Sequence, residues 1–160
     1  MPSPIANTSP LQYLFQTGLL DLMPKLYGEV LIPSAVQQEI DRGRALGVSL
    51  PTLSDFDWTK IVEPTVDVLL PLANGLGSGE LAVIAIAKTT PDALALLDDR
   101  RARRCAHLLA VPYIGTLGIL LSAKSRGLLD RVEPVCDALD RCGFRMNSQT
   151  RRAVLSLAQE

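Results

Sequence analysis

With 160 residues, 48% hydrophobic and 21% charged, the chain has the length and make-up of one globular domain spanning 1–160, which excludes disorder as its main character. No apolar run approaches the roughly 20 residues of a membrane span, and no cationic segment leads into an apolar one at the N-terminus, so a cytoplasmic protein is expected. A net charge of −1 conceals an acidic half, 12 Asp/Glu against 5 Lys/Arg in residues 1–99, and a basic half, 5 against 11 in residues 100–160. Such halves could set a cation site beside a phosphate-binding surface, although surface helices that merely differ in charge would give the same count.

Pro2 and Pro4 allow only a brief first strand, ending near Ala6-Asn7. Thr8 or Ser9 can cap the next helix, with Pro10 in its first turn, Leu11, Leu14 and Phe15 as its apolar stripe and Gly18 as its end. Leu19 to Leu26 reads as a second short helix interrupted by Pro24. Glu29 to Ile32 is a strand closed by Pro33, and Ser34 caps a helix whose Val36 and Ile40 face the core, with Glu39 beside that face. Gly43 to Trp58 reads as loop, Lys60-Ile61-Val62 as a third strand, and the stretch from Pro64 to Asn74 as holding a short helix through Val68 and Leu69.

A glycine loop at Gly75, Gly77 and Gly79 then opens a helix at Glu80, with Leu81, Ile84 and Ala85 recurring at helical spacing and Val83 and Ile86 also apolar. That helix should be buried on most sides, and Thr89, Thr90 and Pro91 stop it. Ala93 to Leu97 is a short apolar run, as expected of a strand covered on both faces, and it ends in Asp98-Asp99. Arg100 to Leu109 is a helix with an arginine-rich face, Val111 to Gly115 a fifth strand, and Thr116 can cap a helix running through Lys124. Val132 to Cys142 and Ser148 to Ala158 read as two more amphipathic helices. Strands alternating with helices imply a parallel sheet in an α/β fold.

Cys105, Cys136 and Cys142 form no CxxC pair and are odd in number, so free thiols are expected rather than a disulfide or zinc framework. His107 is the only histidine, which excludes a His-rich metal site. Asn7, Glu39, Glu80 and Asp98/Asp99 stand at the ends of separate elements, and acids meeting at one sheet edge would attract a hard cation such as Mg²⁺ or Mn²⁺. Singly, each has a modest explanation: Glu80 suits a helix start, Asp98 or Asp99 can cap the arginine helix, and Glu39 can be a solvated helix residue. The glycines imitate a nucleotide loop, but Glu80 occupies the third glycine of GxGxxG and a Walker A lysine is missing. Gly-x-Ser-x-Gly is absent, and a receiver domain would need an Asp where the third strand is followed by Glu63-Pro64.

The runs NTSPL (7–11), GLLDLMPKLYGEVLIPSAVQQEI (18–40), GSGELAVIAIA (77–87), LLDDRRARRCA (96–106) and GTLGILLSAKSRGLL (115–129) resemble, in the same order, the DUF3368 type of PIN domain. This prokaryotic branch is close to toxin-type PIN ribonucleases, and the resemblance covers about residues 5–145, with a C-terminal helix at about 148–158 beyond it. It implies a three-layer α/β/α fold with a central five-stranded parallel sheet. It also implies a ribonuclease site dependent on Mg²⁺ or Mn²⁺, with Glu39, Glu80 and Asp98/Asp99 as metal-binding acids. The position of the first acid holds Asn7, whose amide can ligate but carries no charge. Arg100, Arg101, Arg103 and Arg104 would grip RNA phosphates or simply form a solvated face. A small antitoxin partner and a homodimer are further implications, the latter also suggested by the apolar GLLDLMPKLY segment. The competing expectations are a PIN-fold module that binds RNA or protein with catalysis impaired by Asn7, and a non-nucleolytic metal-binding or interaction domain.

Overall fold

Each apolar run in the sequence is short, and so are the strands that form from them: Ser3–Ala6 (β1), Val30–Pro33 (β2), Thr59–Val62 (β3), Ala93–Leu96 (β4) and Tyr113–Ile114 (β5). In the computed structural model, which describes residues 1–65 and 75–160, they make one sheet in the order β3-β2-β1-β4-β5. Every neighbouring pair is parallel, with Ile5 of the central strand registered against Leu31 on one side and Ala95 on the other. The helix expected through Val68 and Leu69 lies outside the described residues.

Eight α-helices flank the sheet among the described residues: Thr8–Gln16 (α1), Leu22–Tyr27 (α2), Ser34–Ala45 (α3), Ser78–Thr89 (α4), Arg100–Leu108 (α5), Thr116–Ser125 (α6), Glu133–Arg141 (α7) and Ser148–Leu157 (α8). The architecture is a three-layer α/β/α sandwich, as expected. Helix α4 packs on α3 and α5 and against β1, β2 and β4, while α1 and α2 pack with α6, and α8 lies against α6. Seven of the twelve residues of α4 are buried, which explains why its sequence is apolar nearly all round. None of the helices described is long and apolar enough to cross a membrane.

Several local expectations are corrected. Pro24 does not interrupt α2; it is its third residue, where its missing N–H falls in the first turn and needs no intrahelical acceptor. Helix α3 runs past Gly43 to Ala45, and Leu53–Asp55 forms a turn of 3₁₀ helix inside the stretch expected to be loop. Gly43 is tolerated there because Leu50 folds back over it, leaving no room for a Cβ. In the GLLDLMPKLY segment, Leu20, Leu22, Met23, Leu26 and Tyr27 are all buried in the chain's own core, so they present no surface to a second copy. All three cysteines are free, and His107 is exposed in the last turn of α5.

Candidate active site

The chain leaves β1 towards β2 and β3 on one side and later fills the other side with β4 and β5. The carboxyl ends of β1 and β4 therefore form the switch point where open α/β sheets leave a crevice. Asn7 lies there, its N–H continuing the ladder to the Leu96 carbonyl at 3.1 Å. It is the N-cap residue of α1, yet its side chain makes no capping bond. Only 5% of it is exposed, and Oδ1 has no hydrogen-bond partner among the described residues. Thr8, expected as a possible cap, is instead the first helical residue, and its hydroxyl donates to Glu39 Oε2 at 2.7 Å.

Glu39 reaches from α3 to the start of another helix. The Gly79 N–H donates to Glu39 Oε1 at 3.0 Å, and the Ser78 hydroxyl stands 3.5 Å from the same oxygen. A carboxylate is favoured here because the first N–H groups of α4 have no intrahelical acceptor. Gly79 permits the approach: a Cβ would lie 2.7 Å from Oε1, 2.8 Å from Oε2 and 2.9 Å from Cδ of Glu39. Glu80 folds back one turn and accepts from the Gly77 N–H through Oε2 at 3.0 Å. Burial pushes its carboxyl above the ordinary range, against the pull of the Gly77 bond, and the charges of Asp99 and Glu39 push the same way. Glu39, Glu80 and Asp99 thus share one electrostatic neighbourhood.

The adjacent Asp98 and Asp99 diverge. Asp98 accepts from the Thr116 N–H and hydroxyl, one on each oxygen and both at 2.7 Å, so it caps α6 from the end of β4. Its desolvation raises the pKa, with Thr116 and then Arg103 opposing. Asp99 instead caps its own helix, taking the Ala102 N–H on Oδ1 at 2.9 Å, and remains exposed. Arg103 turns inward: Nε donates to the Leu97 carbonyl at 2.8 Å and Nη2 stands 3.8 Å from Asp98. Gly115 lets both groups close over the start of α6, since a Cβ there would collide with the Arg103 guanidinium and sit 2.8 Å from Asp98 Oδ1. Arg100, Arg101 and Arg104 are exposed. Arg101 lies along the glycine loop, its Nη1 2.9 Å from where a Cβ of Gly75 would be, and Gly75 has φ +87°.

Among the described residues, three side-chain oxygens in this crevice accept no hydrogen bond: Asn7 Oδ1, Glu80 Oε1 and Asp99 Oδ2. Two carboxylate oxygens and an amide oxygen are a hard, all-oxygen set of the type Mg²⁺ and Mn²⁺ take. No three acidic, His or Cys side chains among the described residues close on one point, so a cation here would keep part of its water shell. The donor chemistry fits a divalent ion held from one side. Thr8, Gly79, Gly115 and Thr116 were not among the expected site residues. Only Thr116, at a helix start beside the sheet edge, carried a sequence signal.

A family model for DUF3368, described as a PIN domain, matches residues 3–160. No curated protein and no solved structure matches.

Proposed function

The chain belongs to the DUF3368 family of PIN domains, and from that membership we propose that it is a divalent-metal-dependent ribonuclease whose site comprises Asn7, Glu39, Glu80, Asp98 and Asp99. PIN domains are nuclease-type folds that generally use divalent metals and bind RNA. The observation that carries the reading for this chain is the buried, partnerless Asn7 Oδ1 at the crevice that also holds the mutually repelling carboxylates of Glu80 and Asp99. In this reading Glu80, Asp99 and Asn7 hold the ion directly. Glu39 fixes the start of α4, and with it Glu80, while Asp98 holds α6 against the end of β4. When bound, Mg²⁺ or Mn²⁺ supplies polarisation of the phosphodiester and acidification of an attacking water. Arg100, Arg101 and Arg104 bind backbone phosphates, and Arg103 acts by holding Asp98 and the Leu97 carbonyl in place.

Cleavage of a mixed single-stranded RNA pool with Mg²⁺ or Mn²⁺ tests this, with Glu80→Gln as the inactive control. Metal-independent cleavage, or full activity in Glu80→Gln, would refute it. The neutral amide at Asn7 favours one second reading, a PIN-fold RNA- or protein-binding module with impaired catalysis, which predicts RNA binding without cleavage in the same assay. A toxin role with a small antitoxin, and a homodimer, rest on the family likeness alone. Co-purification with the product of a neighbouring gene and the solution mass of the chain test them.

A further inference from the structure

We propose that this site takes up its divalent cation together with the strand, a phosphate oxygen of the RNA supplying the negative ligand that Asn7 does not. This inference rests on the nuclease reading above and concerns the order and coupling of binding. Four carboxylates reach the crevice, but two already have both oxygens engaged. Glu39 holds Thr8 on one oxygen and Gly79 on the other, and Asp98 holds Thr116 on both. Glu80 and Asp99 each have one oxygen committed to a backbone N–H. A bare cation therefore meets one open oxygen from each of these two acids and the neutral, 5%-exposed amide of Asn7. Arg100, Arg101 and Arg104 stand exposed on the helix that Asp99 caps, where they repel a lone cation and attract a phosphate. Each ligand thus improves the site for the other: phosphate screens the arginines and completes the ion's shell, while the ion neutralises the acids that would repel phosphate. Linkage requires the two effects to be equal in magnitude.

Mn²⁺ binding to the intact chain, followed by electron paramagnetic resonance, tests the coupling without reference to turnover. The titration is run alone and with a short mixed-sequence single-stranded RNA methylated at each 2′-hydroxyl, verified intact afterwards. The strand should tighten Mn²⁺ by about 5–150-fold, the usual span of coupled sites, and Mn²⁺ should tighten the strand by the same factor. A strand with neutral methylphosphonate linkages should give no such gain. In Asn7→Asp, Mn²⁺ alone should bind more tightly and the coupling should shrink. Circular dichroism checks that variant's fold, and the wild-type comparison stands without it. Equal Mn²⁺ affinity with and without bound strand would overturn the coupling and leave the nuclease reading intact. Undiminished coupling in folded Asn7→Asp would remove Asn7 from it. Failure to bind either Mn²⁺ or strand under any condition would overturn the nuclease reading itself.

Discussion

Gly79→Ala is the smallest change that should pull the crevice apart. An added methyl would stand 2.7–2.9 Å from the three carboxylate atoms of Glu39, closer than any unstrained contact, so the carboxylate has to withdraw from the start of α4. Withdrawal removes the 3.0 Å bond from the Gly79 N–H, and a hydrogen bond to a charged acceptor is worth about 1.5–3 kcal/mol. Alanine returns up to about 1 kcal/mol through helix propensity, and less in a first turn. The net loss should be about 1–2 kcal/mol, which for a domain of this size lowers the melting temperature by roughly 2–8 °C. Urea denaturation with matched m-values measures it. The decisive comparison is made in a Glu39→Ala background, where the obstruction is gone and Gly79→Ala should become neutral or slightly stabilising. Additive effects of the two substitutions, or a Gly79→Ala protein as stable as the parent, would refute the contact between α3 and α4 as described.

Other perturbations separate the remaining roles. Asp98→Asn should destabilise the fold, since it weakens the cap on α6, whereas Asp99→Asn should cost little stability and weaken Mn²⁺ binding; thermal melts and metal titration of the pair would show the contrast. Arg101→Ala should weaken RNA binding and reduce its salt dependence, and Arg103→Ala should instead lower stability, as read from binding across a salt series and from melts. Glu160 caps α7 and bonds Lys124, and these partners, Lys124 foremost, hold its carboxyl down from 4.5 to about 2. A depressed folded-state pKa gives stability that is present above pH 4.5 and lost as pH falls towards 2. Glu160→Gln should therefore flatten the fall in stability across that window, measured by denaturation at several pH values.

The sheet was legible because its strands are bounded by signals that act locally. Proline closes β2, Asp98-Asp99 ends the run of β4, and Gly18 and Gly127 take up positive φ where helices stop. The set of polar residues at the sheet edge was legible for the same reason, since Asn7, Glu80 and the aspartates follow strands or open helices. The division of labour between Asp98 and Asp99 was not. It depends on Gly115 coming within reach of Asp98 across 17 residues of chain, and no local pattern encodes that approach. Arg103 likewise reads as one of four equivalent arginines until the Leu97 carbonyl is placed beneath it. The apolar 18–27 segment misled for the converse reason: apolar side chains look alike in sequence whether a core or a partner covers them.

The Glu39 carboxylate ties together three pieces of chain that meet late in synthesis. Thr8 lies 31 residues before it and Gly79 lies 40 residues after it. During translation, α3 is therefore complete well before the helix it caps exists, and the acid stays solvated until α4 emerges. Contacts that close such long loops form slowly relative to those within a helix, because chain entropy is lost before the contact repays it. The bond to Gly79 is thus suited to forming after the folding transition state, which would make it a brake on unfolding more than an aid to folding. A nascent chain stalled before residue 79 would carry Asn7 and Glu39 without Glu80 or Asp99. On this geometry the metal-binding oxygens come together only once the protein has largely folded.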